Sequence, residues 1–129
     1  MVVAGLVFAG VAALIHVYIF YLESMVWTSR RARATFGIAS EQEALTTRAL
    51  AFNQGFYNLF LAISIVLGIV VLAFGATAVG ATLVFTGAGS MVAASLVLVV
   101  FRPAMARAAL IQGLPPLLGV VALAAGLAL

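Results

Sequence analysis

Cysteine is absent from this chain, and with it go disulfides, thiolate nucleophiles and thiolate-bound metals, although the compartment stays open. Charge is nearly absent too. Six arginines and three glutamates supply all of it, 7% of 129 residues, where soluble domains carry roughly 25%. With 67% hydrophobic residues, a soluble globular domain is excluded. The pI near 10.2 rests on a net charge of only +3. No basic stripe with interleaved aromatics occurs, so nucleic acid is not an expected partner.

What is present is apolar sequence in four long runs, residues 2–26, 45–74, 77–101 and 108–129. Each is long enough for a helix of about 20 apolar residues to cross a bilayer. The expected fold is therefore an all-α integral membrane protein, four transmembrane helices in an up-down-up-down bundle, forming one domain over residues 1–129. The first run has no basic segment before it and passes straight into Glu23 and Trp27, which reads as a retained span rather than a signal peptide. All six arginines (Arg30, Arg31, Arg33, Arg48, Arg102, Arg107) flank the first or third connection, and the middle connection has no charge. The positive-inside rule then places both arginine-bearing loops in the cytoplasm of a multi-pass cell-membrane protein, with both termini outside.

Local signals refine the path. Ser40 followed by Glu43 fits a capping box, so the second helix is expected to begin in a cytoplasmic turn around residues 41–47. Pro103 suits the first turn of a helix, and residues 104–111 are compatible with a segment along the interface. Pro115 and Pro116 are expected to interrupt the fourth helix and free carbonyls near Gln112. On the third run, Thr82, Thr86, Gly89, Ser90 and Ala93 form a small-residue stripe suited to close packing, from which a homo-oligomer is expected.

The few polar residues within the runs carry the functional reading. At about 100° per residue, His16, Glu23 and Trp27 fall within roughly 20° of one line on the first helix. His16 and Glu23 are separated by roughly 10 Å along the axis, too far to bond directly. The second helix contributes Asn53 with Tyr57 and Gln54 with Asn58, pairs four residues apart covering about 140° of arc. Gln112 enters from the fourth helix. By topology His16 and Asn58 should lie deepest, and all six of these polar groups (Tyr57 aside) occupy the cytoplasmic half. Ionisable groups in a membrane cost roughly 2.5–3.5 kcal/mol at mid-depth and mark sites. The plainer reading is that the amides glue helices together and that Glu23 pairs with Arg30, Arg48 or Arg107. Trp27 reads first as an interfacial anchor. His16 and Glu23 are too few and too far apart for a zinc site, and no metal or cofactor is expected.

His16, the Tyr21-Leu22-Glu23 run, Trp27-Thr28 and the arginines after them resemble an uncharacterised bacterial membrane family, domain of unknown function 1304. Asn53-Gln54-Gly55-Phe56-Tyr57-Asn58 and Gln112 with its following prolines extend that resemblance over nearly the whole chain. It implies four spans with these polar residues as a signature, and no known activity. A more distant likeness is to MAPEG, the membrane-associated proteins in eicosanoid and glutathione metabolism, in which Asn53 and Tyr57 keep the spacing of that family's Asn and Tyr. Arg48 sits one residue off, Phe56 replaces a glutathione-contacting glutamate, and the late tyrosines of the third helix are missing. These departures count against glutathione transfer.

The expected function is a cytoplasm-facing pocket lined by His16, Glu23, Asn53, Gln54, Tyr57, Asn58 and Gln112 that binds a small hydrophobic or amphipathic molecule or lipid, in a transport- or sensor-like role. A structural subunit of a membrane complex is the second reading. A MAPEG-like membrane enzyme using His16 or Glu23 as general acid–base is the third.

Overall fold

A bilayer offers the backbone no hydrogen bonds, so a chain this apolar satisfies its own in helices. The computed structural model describes residues Met1–Leu129 and contains helices and no strand. Helix α1 (Val2–Phe20) runs into one widened π turn at Tyr21–Met25, and a short α2 (Arg30–Phe36) follows. Then come α3 (Glu41–Ala73), α4 (Thr77–Phe101), a 3₁₀ turn at Pro103–Met105, and α5 (Ala106–Ala128). Four stretches are long and apolar enough to cross a membrane: Val2–Met25, Glu41–Ala73, Thr77–Phe101 and Pro103–Ala128. The chain is a multi-pass membrane bundle.

The four long helices form a ring. Helix α1 packs between α3 and α5, α4 also packs between α3 and α5, and α1 and α4 stand diagonally with little contact. The core is built of small side chains, including Ala9, Ala12, Ala62 and Ala88, around Ile65, Val84, Met91 and Leu123. In lipid, helices gain stability from close van der Waals approach rather than from the hydrophobic effect. The α3–α4 seam is one such close approach: a β-carbon at Gly80 would lie 2.5 Å from the Leu72 nitrogen and 2.7 Å from the Gly68 carbonyl. Ser64 adds a hydrogen bond across it, donating to the Leu83 carbonyl at 3.0 Å. The turn after α3 needs Gly75, whose φ of 93° suits glycine.

The bundle has two unlike ends. At the plain end lie both termini and the Gly75 turn; at the arginine end lie α2 and the α4–α5 connection. Helix α3, at 33 residues, spans about 50 Å, against an apolar bilayer core of about 30 Å. Its first turns therefore stand beyond that core at the arginine end. There Ser40 caps the helix, accepting from the Glu43 amide at 3.1 Å. The Glu43 carboxylate reaches back to the Ala39 N–H at 3.0 Å, one residue short of a regular capping box. Helix α2 carries its own start and stop signals: Ser29 accepts from the Ala32 amide, and Gly37 closes it with φ 67°.

Two expectations need correction. Pro115 and Pro116 do not interrupt the fourth helix, because α5 is continuous from Ala106 to Ala128. Their effect is chemical: neither has an N–H, so the Ile111 and Gln112 carbonyls lose their helical donors without loss of helical path. Pro116 is instead a fully buried packing residue. Nor do residues from Ala106 onward form a separate interfacial segment. The α4 stripe also lies elsewhere than the internal seams. Thr82, Thr86, Ser90 and Ala93 are exposed, and a β-carbon at Gly89 would meet nothing within 4 Å.

Candidate functional site

The site begins on α1. His16 is buried, 2% exposed, and its Nδ1 lies 2.9 Å from the Ala12 carbonyl. A carbonyl only accepts, so Nδ1 holds a proton and Nε2 is left for another partner. One turn later the helix widens at Tyr21–Met25. The regular wheel ends there, and such widened turns recur at functional sites. Within this turn Glu23 is buried at 8% exposure.

Helix α3 meets the wide turn at Gly55. A side chain there would overlap the Ser24 hydroxyl and lie 3.1 Å from Glu23 Cβ. Ser24 ties the crossing by donating to the Phe52 carbonyl at 2.8 Å. This approach brings Asn58 Nδ2 to 2.8 Å from Glu23 Oε2, and the same nitrogen to 3.3 Å from the Gln54 carbonyl. The partner of Glu23 is thus an amide from the neighbouring helix rather than an arginine. The contact ties Asn58 to Glu23, and both line one cavity with His16.

A cap closes over these groups at the arginine end. Trp27 donates from Nε1 to the Thr47 hydroxyl at 3.1 Å, and its ring lies 5.2 Å from that of Phe36 at the end of α2. Below this cap is a cavity of about 570 Å³. His16, Glu23, Gln54, Asn58 and Gln112 all line it. Trp27, Phe36 and Ile38 form its cap, and Glu43, Thr47, Arg102 and Met105 are also in its wall. The volume lies in the range of small-molecule sites, about 300–1,000 Å³.

Asn53 and Tyr57 are not part of this cavity. Both are exposed and line an adjoining groove of about 340 Å³, which shares Glu23, Trp27, Thr47 and Gln54 with it. They are the two positions on which the likeness to the eicosanoid and glutathione family rests. Sequence reasoning also left out the cap. Its one available signal was Trp27, which shares the His16–Glu23 line; Phe36 at the end of α2 and Ile38 just after it arrive through tertiary packing that no periodicity announces. No three histidine or carboxylate side chains gather as a metal site would require.

The cavity walls belong to two helix pairs. On one side are α1 and α3, joined at Gly55 and Ser24. On the other are α4 and α5, joined where a side chain at Gly113 would overlap Ser95. Chemically, the arrangement offers amide donors and acceptors, a carboxylate and an imidazole nitrogen around a space large enough for one small molecule.

No curated protein and no solved structure matches the chain. Residues 10–124 match the family model described as Protein of unknown function (DUF1304), and the chain belongs to that family.

Proposed function

We propose that this protein binds a small amphipathic molecule or lipid in the arginine-end cavity, in a transport- or sensor-like role. One observation carries the reading: His16, Glu23, Gln54, Asn58 and Gln112, from three helices, surround a single cavity. Groups that served only to glue helices would be spent on one another. Here only Asn58 and Glu23 bond side chain to side chain; the Gln54 and Gln112 amides and the second nitrogen of His16 make no hydrogen bond within the chain. Asn53 and Tyr57 fit the same reading as the wall of an outer vestibule. The arginine asymmetry supports a cytoplasmic placement of this end, with the termini external in the cell membrane. A crystal structure of protein extracted with its native lipids tests the proposal. Non-protein density between His16 and Gln54 is the expected result; walls collapsed onto one another, with apolar side chains filling the space, would leave an accessory-subunit role.

Self-association belongs to the same proposal. The outward stripe of Thr82, Thr86, Gly89, Ser90 and Ala93 permits close backbone approach by a second copy. Because Gly89 has open space around it within one chain, Gly89→Leu should spare the fold and lower only the oligomeric mass in mild detergent. A wild type that stays monomeric at every concentration would dismiss the homo-oligomer.

A further inference from the structure

Resting on the binding reading above, we infer that the cavity takes an amphiphile with a cationic nitrogen head, its apolar chain leaving between α3 and α4 into the bilayer. Three features converge on this ligand: the charge of the wall, the aromatic cap and the gap between two helices.

The charge comes first. The chain as a whole is basic, with a net +3. The cavity wall reverses that sign: its carboxylates are Glu23 and Glu43, against Arg102 as the single guanidinium. Glu43 uses one oxygen on the Ala39 amide, and Glu23 uses one on Asn58. Each keeps a second oxygen for a ligand. An anionic head would face two carboxyl groups here, whereas a cation gains charge-assisted partners in their oxygens.

The aromatic cap supplies the second feature. Trp27 and Phe36 line the same cavity, their rings 5.2 Å apart and inclined at 45°. Two aromatic rings in a wall that also holds carboxyl groups are surroundings that favour an ammonium, which is drawn to a ring face within about 6 Å of the centroid. The Trp27–Thr47 hydrogen bond holds the larger ring in place.

The third feature is the exit. Helices α3 and α4 touch closely through Gly68, Gly80 and Gly87, the last with a β-carbon position 3.0 Å from the Leu61 carbonyl. Beyond that point, towards the arginine end, cavity lies between them. Leu61 lines it from α3, and Ala94, Val97 and Leu98 line it from α4. Ala94 and Val97 line it while remaining exposed. Exposed apolar residues in the cavity wall between two spans suit a lateral exit for an apolar chain. The head therefore rests under the polar cap while the chain lies along Val97 and Leu98.

The chain has one tryptophan, and it is Trp27 in the cap. Its emission reports occupancy directly. The full-length protein is titrated in maltoside micelles, which contain no nitrogen, with dodecyltrimethylammonium, tetramethylammonium or dodecyl sulfate. Dodecyltrimethylammonium should give a saturable change whose midpoint Glu23→Gln weakens by at least about tenfold. This substitution retains an oxygen to accept from Asn58, so the fold is spared. Tetramethylammonium should bind far more weakly; an equal midpoint would make the ligand a free amine and overturn the lateral exit. Dodecyl sulfate binding as tightly, or a Glu23→Gln midpoint that does not move, would overturn the cationic head while leaving amphiphile binding in place. Silence with all three titrants would remove both the inference and the binding reading beneath it.

Discussion

Gly80→Leu should destabilise the bundle by roughly 3 kcal/mol or more, at or beyond the upper end of ordinary overpacking. The neighbours explain the size. A β-carbon there would sit 2.5 Å from the Leu72 nitrogen and 2.7 Å from the Gly68 carbonyl oxygen. Both are backbone atoms, so no rotamer change relieves the overlap and α3 must move away from α4. That shift would also disturb the Ser64–Leu83 hydrogen bond across the seam. Gly10→Leu is the matched control, since a β-carbon at Gly10 meets nothing within 4 Å. It should be neutral or slightly stabilising, because glycine costs a helix about 1 kcal/mol relative to alanine. Reversible unfolding in mixed micelles measures both. Equal losses for the two variants would mean that the α3–α4 seam is not the close contact described.

The spans were legible because bilayer thickness leaves little choice of length for an apolar helix. The third span, expected over 77–101, is the observed helix Thr77–Phe101. The prolines of α5 point to a break because each lacks an N–H, yet a missing donor is not a missing turn. A helix surrounded by neighbours tolerates two unpartnered carbonyls at 111 and 112 and keeps its course. Helix α2 had readable signals in Ser29 and Gly37, whereas the wide turn at Tyr21–Met25 had none. That turn lies where α1 and α3 cross at Gly55, a tertiary fact. Of the expected site residues, His16, Glu23, Gln54, Asn58 and Gln112 meet at one cavity, while Asn53 and Tyr57 face the outer groove. The arc of about 140° on α3 was too wide for one wall, and polarity alone could not say which edge turned inward.

The second large effect concerns thiol reactivity within α5, where a natural background is absent because the chain has no cysteine. Gln112 and Val120 lie on the same helix and are both half-buried. They are separated by about 12 Å along the axis. Gln112 lines the cavity, whereas Val120 packs against the alanine-rich core. Thiol reagents attack the thiolate, which forms where water reaches the sulfur. Gln112→Cys should therefore react readily with a membrane-impermeant reagent, and Val120→Cys should stay unmodified.

The most direct measurement of the central claim applies that reagent to one face of the membrane at a time, with Ala104→Cys and Ala78→Cys marking the arginine and plain ends. The account predicts that Gln112→Cys and Ala104→Cys react from the cytoplasmic face alone and Ala78→Cys from the external face alone. A Gln112→Cys that stays silent from both faces, or reacts only from the face that labels Ala78→Cys, would contradict it.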